Sequence, residues 1–450
     1  MFKRFLAMFI AVCMVFLSIP TEGLGAEVVP EKAAAEEIVA DGIIYTVNSD
    51  GETLSLSGGS DNSIAELTVP ATVSANGMTY RVTTVKYRAL YNFKELETVV
   101  FPSTVTAINY CAFEGCEKLS EVTLPTSLES LGYNAFKDCN SLTSIVIPKT
   151  LTTVSGLTNV SPFNGCENLR EVTFESGLTK VPAYLFKNIK TLTRICIPDG
   201  VAEIGAEAFY GNEALEEVIL PDGLLVIGES AFLGCTLLEG IKLPSSVTKI
   251  SNRVFENCEK LSGVKLPASL EAMGYHAFKN CTSLTEMEIP KTLSSTGGLT
   301  SDQSPFVGCT NLSEVIFESG RTKIPANMFY NFSTLERIVI PDGVEEIGSD
   351  AFRSCTALKE VVLPKGLKTI NSDAFYGCTA LEDLYVPHTV TKIGTDIFKG
   401  AANVTVCANK DSHVTVYAID NDIPFRWVGN TLANTEEEQL DRSLCQYITD

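Results

Sequence analysis

The sequence predicts a solenoid of α/β type, mainly β, built from about 13 units of 23 residues. Each unit gives one short strand to a parallel sheet on the inner face and returns by an irregular or short helical segment, and the array is capped at both ends. Three observations predict this. One phrase recurs, as in "AFEGCEKLSEVTLPTSLESLG" from Ala112, "AFLGCTLLEGIKLPSSVTKIS" from Ala231 and "AFYGCTALEDLYVPHTVTKIG" from Ala374. The landmark phenylalanines from Phe113 to Phe398 step by 23 residues, except for 27 before Phe163 and 28 before Phe306, with Leu90 opening the series. Apolar side chains also alternate through one part of every unit, which is the period of a strand. A unit this small cannot bury its apolar side alone and needs neighbours on both faces.

The first element is a leader. In "MFKRFLAMFIAVCMVFLSIPTEGLGA", Lys3 and Arg4 precede an apolar run from Phe5 to Pro20, and Gly25 and Ala26 offer a small-residue cleavage point. Residues 1–26 therefore read as a secretory signal peptide and are excluded from fold reasoning. Residues 27–88 read as an N-terminal linker and β-hairpin cap. Within them "DGIIYTVNSDGETLSLS" alternates apolar and polar residues around a Ser49-Asp50-Gly51 turn.

Residues 89–408 are the solenoid. Counting each landmark phenylalanine as position one, position seven is leucine in all thirteen units from Leu96 to Leu381, and positions ten and twelve are apolar throughout. Those side chains point inward, leaving nine and eleven to point outward. Proline at position thirteen in eleven of the thirteen units lacks an N–H and ends the strand. Further apolar positions at sixteen and nineteen suit the return segment. Residues 409–430, with Trp427 beside Phe425, read as a C-terminal cap, and 431–450 as an acidic tail.

The formal charge of −21 argues against binding nucleic acid or anionic membranes, and no second apolar run reaches the ~18–20 residues of a membrane span. No membrane insertion is expected once the leader is removed. Nine cysteines occupy position four: Cys116, Cys139, Cys166, Cys235, Cys258, Cys281, Cys309, Cys355 and Cys378. Side chains in register point the same way rather than at one another, and Phe93, Ile189, Asn212, Phe332 and Ala401 stand in this place elsewhere, most of them apolar. Buried bulk is the requirement there, so these cysteines read as core filler and not as disulfides or metal ligands. Cys196, at outward position eleven, reads as an exposed thiol. His276, His388 and His413 stand apart from one another, and no G-x-S-x-G, H-E-x-x-H or P-loop pattern is present. No catalytic, cofactor-binding or metal-binding residue is assigned.

The combination L-x-x-V-x-L-P-x-x-L-x-x-I-G-x-x-A-F-x-x-C at a 23-residue period resembles the BspA-like, or Treponema-type, class of leucine-rich repeats. The resemblance implies a right-handed leucine-rich repeat array over about seventy per cent of the chain. It also implies secretion or surface display on a host-associated bacterium, and an adhesive role toward host matrix proteins or other cells.

Position eleven supplies the candidate partner-binding row: Val146, Thr173, Ile219, Lys242, Lys265, Glu288, Ile316, Val339, Val362 and Tyr385. Position nine runs beside it as an acidic row that includes Glu171, Glu217, Glu286, Glu314 and Glu360. Two accounts fit. β-Branched residues favour strands and charges prevent unwanted association; alternatively, an apolar stripe with an acidic border marks a protein partner. The inserted segments "LTTVSGLTNVSPF" and "LSSTGGLTSDQSPF" offer a second candidate. Their likeness follows from a duplication, since "YNAFKDCNSLTSIVIPKTL" at 133 recurs as "YHAFKNCTSLTEMEIPKTL" at 275, so copying also explains them. The expected function is non-enzymatic binding of an extracellular protein or glycan through the inner sheet or inserted loops. A spacer without its own ligand, or a carbohydrate-active or other enzyme, are the alternatives.

Overall fold

The structure is a computed structural model that describes residues 36–156, 159–297 and 304–428. The leader, the acidic tail and the tips of both inserted segments lie outside the described residues. The array belongs to one compact unit that begins at Glu37.

Each coil has three walls, and its sequence explains each one. Positions nine to eleven form the expected strand. Arg194–Cys196, Glu217–Ile219, Gly240–Lys242 and Gly263–Lys265 make a four-stranded parallel sheet in which residue pairs with residue one coil on, as Arg194 with Glu217 and Ile195 with Val218. Inward residues at position ten keep this register because a slip by one residue would turn them to solvent.

On the return limb the structure takes the irregular rather than the helical of the two expected forms, and adds a second row of short strands that was not expected. Among the described residues no coil contains a helical turn. Positions eighteen and nineteen form a second parallel row, including Lys180–Val181, Glu203–Ile204, Val226–Ile227 and Lys249–Ile250. The third wall is built of turns whose alternate N–H groups reach the next coil: Cys111 N donates to Tyr133 O at 3.2 Å, Phe113 N to Ala135 O at 2.7 Å and Gly115 N to Lys137 O at 2.7 Å. Left-handed residues make this possible. Position three has positive φ throughout the array and is filled by glycine or short polar residues, as at Asn92, Gly115, Asp138 and Asn257. These residue types tolerate that conformation, and each one stops a helix from propagating. The three-residue apolar spacing thus marks corners of the coil rather than a helical face.

The core is a column. The thirteen landmark phenylalanines stack in sequence, with ring centroids from 5.2 Å apart at Phe113–Phe136 to 6.1 Å at Phe306–Phe329. The position-seven leucines are buried beside them. The two longer steps do not disturb the sheet, since Ser144 pairs with Glu171 and Glu286 with Glu314 in the same register as elsewhere.

Pairing continues past the thirteen repeats. Glu66–Thr68 adds a rung before Thr98–Val100 and Thr405–Ala408 adds one after Asp383–Tyr385, which brings the array to about 15 coils. At the N-terminal end β1 (Glu37–Ala40), β2 (Ile43–Val47) and β3 (Thr53–Gly59) form an antiparallel meander, and Asp50 fixes its turn by accepting hydrogen bonds from the Glu52 and Thr53 N–H groups at 2.9 Å. β3 then pairs parallel with Met78–Val85 and covers the edge of the second row. At the other end α1 (His413–Asp420), capped by Ser412, connects Thr405–Ala408 to a parallel final strand, Phe425–Trp427. Arg426 ties that strand back to Asp383 at 3.1 Å.

Candidate interaction surface

The position-eleven row lies on the first wall, where short parallel sheets follow one another, and within each sheet it stays in register, with Val146 opposite Thr173, Lys242 opposite Lys265 and Glu288 opposite Ile316. Exposure along it is uneven. Val100 at 41%, Val146 at 52% and Ile316 at 48% are among the most exposed large apolar side chains of the molecule. Thr173, Cys196, Lys242, Lys265 and Glu288 are exposed, while Ile219, Val339 and Tyr385 are half-buried. Val362 is different: it is buried, at 7% exposure, flanked on its row by Val339 and Tyr385. It therefore adds no accessible surface. What remains is two apolar stretches, Val100 to Ile219 and Ile316 to Val339, divided by Lys242, Lys265 and Glu288.

The acidic row at position nine is partly neutralised from coil to coil. Arg194 binds Glu217 at 2.8 Å and Arg337 binds Glu360 at 3.3 Å. Similar pairs one coil apart run along other walls, including Lys180–Glu203 and Lys323–Glu346, both at 2.8 Å. The border of the apolar row is thus a lattice of paired charge interspersed with free carboxylates such as Glu171 and Glu314, both exposed.

The cysteines of position four are buried and unpaired, and each has a hydrogen-bonding task that bulk alone does not describe. Their thiols donate to the position-one carbonyl of the preceding coil: Cys139 to Phe113 O at 3.3 Å, Cys258 to Phe232 O at 3.2 Å, Cys378 to Phe352 O at 3.0 Å. Burial pushes the Cys116, Cys166, Cys309 and Cys378 thiols up to about 12, far from reactive thiolate character. Cys196 is exposed, as its outward position implied. Among the described residues no group of three or more histidine, cysteine or acidic side chains could hold a metal ion. His276 lies edge-on to Tyr275 at 5.3 Å, His388 is exposed near a corner and His413 opens α1, so the three stand in different coils.

Two features escaped the sequence reading. Tyr87, Tyr110 and Tyr133 stack on the turn wall at 4.4 and 5.1 Å, with Arg88 over the Tyr87 and Tyr91 rings. Their 23-residue spacing is present in the sequence. Arg321 occupies position sixteen, where every other repeat has leucine or valine, and is 2% exposed. Its guanidinium donates to Pro290 O at 2.6 Å, Leu293 O at 3.1 Å and Lys323 O at 2.9 Å, while Nε has no partner.

The repeat geometry has counterparts in known proteins. A family model described as the BspA type leucine rich repeat region matches this chain in six copies, over residues 83–216, 202–301 and 302–405. The chain belongs to the BspA-type leucine-rich repeat family. A leucine-rich repeat protein from Bacteroides ovatus is similar to it at 29% identity and a TM-score of 0.59, covering 87% of this chain and 100% of that one. A leucine-rich cell surface protein from Faecalibacterium prausnitzii is similar at 23% identity and a TM-score of 0.39, covering 86% and 98%. The pneumococcal vaccine antigen PcpA is similar at 16% identity and a TM-score of 0.49, covering 88% and 99%. Comparison with curated proteins finds no match. BspA-type proteins are typically displayed at the bacterial surface or secreted, and are generally non-enzymatic. Among the described residues of this BspA-type chain, no helix is long and apolar enough to cross a membrane.

Proposed function

We propose that this BspA-type chain is a secreted or surface-displayed adhesive protein without enzymatic activity, which binds an extracellular protein partner across the row of its inner sheet. The observation that carries this reading is the exposure of Val100, Val146 and Ile316 on the position-eleven row, each paired in register within its sheet. Strand preference accounts for β-branched residues, but not for leaving large apolar side chains about half exposed on one line. The acidic border supplies the polar rim that protein interfaces carry around an apolar centre.

The test is binding of the purified chain to immobilised extracellular matrix proteins and mucins, beside a variant with Val146, Ile219, Ile316 and Val339 changed to Asp. Loss of binding in a variant whose circular dichroism is unchanged supports the inner sheet. Undiminished binding by that variant refutes it in favour of the inserted segments, and failure of both chains to bind favours a spacer.

A further inference from the structure

At the centre of the inner sheet the pattern of the two rows reverses over two consecutive coils. Position nine, elsewhere mostly charged, is Gly240 and then Gly263; position eleven, elsewhere largely apolar or β-branched, is Lys242 and then Lys265. The four residues are paired in register as Gly240 with Gly263 and Lys242 with Lys265. All are exposed.

Packing does not demand these glycines. Their φ angles are not positive, a Cβ on Gly263 would meet nothing within 4 Å, and one on Gly240 would meet only Gly263 O at 3.5 Å. Glycine in a strand interior weakens the strand, and one left with open space above it is a place where another molecule can approach closely. Nor are the lysines serving the sheet. Exposed Glu288 follows Lys265 in the same row, yet among the described residues neither lysine is ion-paired, whereas Arg194 and Arg337 on the same wall are each held by a glutamate one coil on. The arrangement is also not an inherited copy. One duplicated block earlier the same places hold Thr98, Val100, Glu121 and Thr123, and one block later Gly240 and Lys242 become Asp383 and Tyr385.

We propose that Lys242 and Lys265, with the open floor at Gly240 and Gly263, form a seat for one or two carboxylates of a protein partner. This inference rests on the inner-sheet reading given above and names the chemistry that reading requires. Adjacent rungs lie ~4.8 Å apart, so two ammonium groups can converge on one carboxylate or on neighbouring ones. The surroundings choose the class of partner. Glu286, Glu288 and Glu314, exposed on the next two coils of the two rows, repel a long polyanion such as a sulfated glycan, which would also leave Ile219 and Ile316 further along the row uncovered. A peptide segment with an acidic centre and apolar flanks satisfies both the lysines and the apolar stretches.

A displayed random-peptide library selected on the intact chain tests this, with the enriched peptides synthesised and their Kd measured. The expected result is enrichment of Asp or Glu flanked by apolar residues, with binding about tenfold weaker to the K242Q/K265Q chain, retained by K242R/K265R and K249Q, and weakened by salt. Enriched peptides that lack carboxylates, or that bind K242Q/K265Q equally well, overturn the seat. If those peptides still lose binding to a V146D/I316D chain, the inner-sheet reading survives without it; if they are indifferent to both variants, both readings fall. Heparin binding that depends on the two lysines and excludes the peptides would overturn the choice of a protein partner.

Discussion

A buried thiol in this array is both a small apolar group and a weak hydrogen-bond donor. The Phe232 carbonyl accepts the Cys258 thiol and also the Cys235 N–H at 3.2 Å, so removing the thiol leaves it bonded. Cys258→Ala is therefore expected to cost only about 1 kcal/mol, mainly lost packing, read as a fall in amide exchange protection of the neighbouring coils. Reactivity divides the same residues differently. In a Cys445→Ser background, a thiol reagent at pH 8 should label Cys196 rapidly and the position-four cysteines only after unfolding, as peptide mapping will check; rapid labelling of Cys258 would contradict its burial. Arg321 is the residue-level anomaly. Burial lowers its guanidinium to about 10 from its usual range, so its charge is held at a cost, offset by three carbonyl contacts. The duplicated block has Leu178 at this place, where it is buried without strain on any polar atom. Arg321→Leu should thus be neutral or stabilising by about 1 kcal/mol, and Arg321→Ala destabilising by about 2–4 kcal/mol, in exchange protection of coils 286–324.

The coil is the unit of stability, because almost every interaction outside it goes to the coil before or after. Stacked phenylalanines, thiol donors, both strand rows and the turn-wall ladder all repeat at the spacing of one coil. Deleting one member of the column, as in Phe209→Ala, should cost about 3–5 kcal/mol and loosen adjacent coils more than distant ones. Most coil-to-coil ion pairs are exposed and contribute no more than about 1 kcal/mol each. Glu256 is an exception, buried at 4% exposure against Arg253 at 2.6 Å and Lys279 at 3.4 Å. Burial pushes its carboxyl up, but the Arg253 hydrogen bond and the two cations outweigh this and hold it below the usual carboxylate range. A depressed carboxyl stabilises above its unfolded value of ~4.3 and loses that contribution as pH falls through the lower folded value. Protection of the Phe255 coil should accordingly fall below about pH 4, and Glu256→Gln should remove that part of the pH dependence.

At the scale of the molecule, a parallel stack with two strand rows has open edges at each end, and one row is covered at each end. β1 to β3 close the second row, and α1 with Phe425–Trp427 close the first. Arg426→Ala removes the ion pair to Asp383 and should fray the last coil without affecting coils near Phe209, which exchange measurements along the chain will separate. Under the proposed inner-sheet reading, side chains spaced by the backbone ladder would pay little further ordering on binding a partner.

Much of this was legible in the residues. Period, core positions, strand placement, family and the burial of cysteine all followed from the 23-residue phrase, because one column of apolar side chains can be satisfied in only one way by a repeating unit. Within the candidate surface, sequence identified which side chains point outward but not how far each is covered. Val362 lies in the same row as Val146 yet is buried, since coverage depends on neighbouring rungs and not on strand parity. The left-handed turn wall, the second strand row and the unpaired state of Lys242 and Lys265 were likewise decided only by tertiary structure. Alternation and period are properties of one chain segment, and sequence by itself determined them; exposure, ion pairing and the use of a free N–H depend on what the next coil brings alongside.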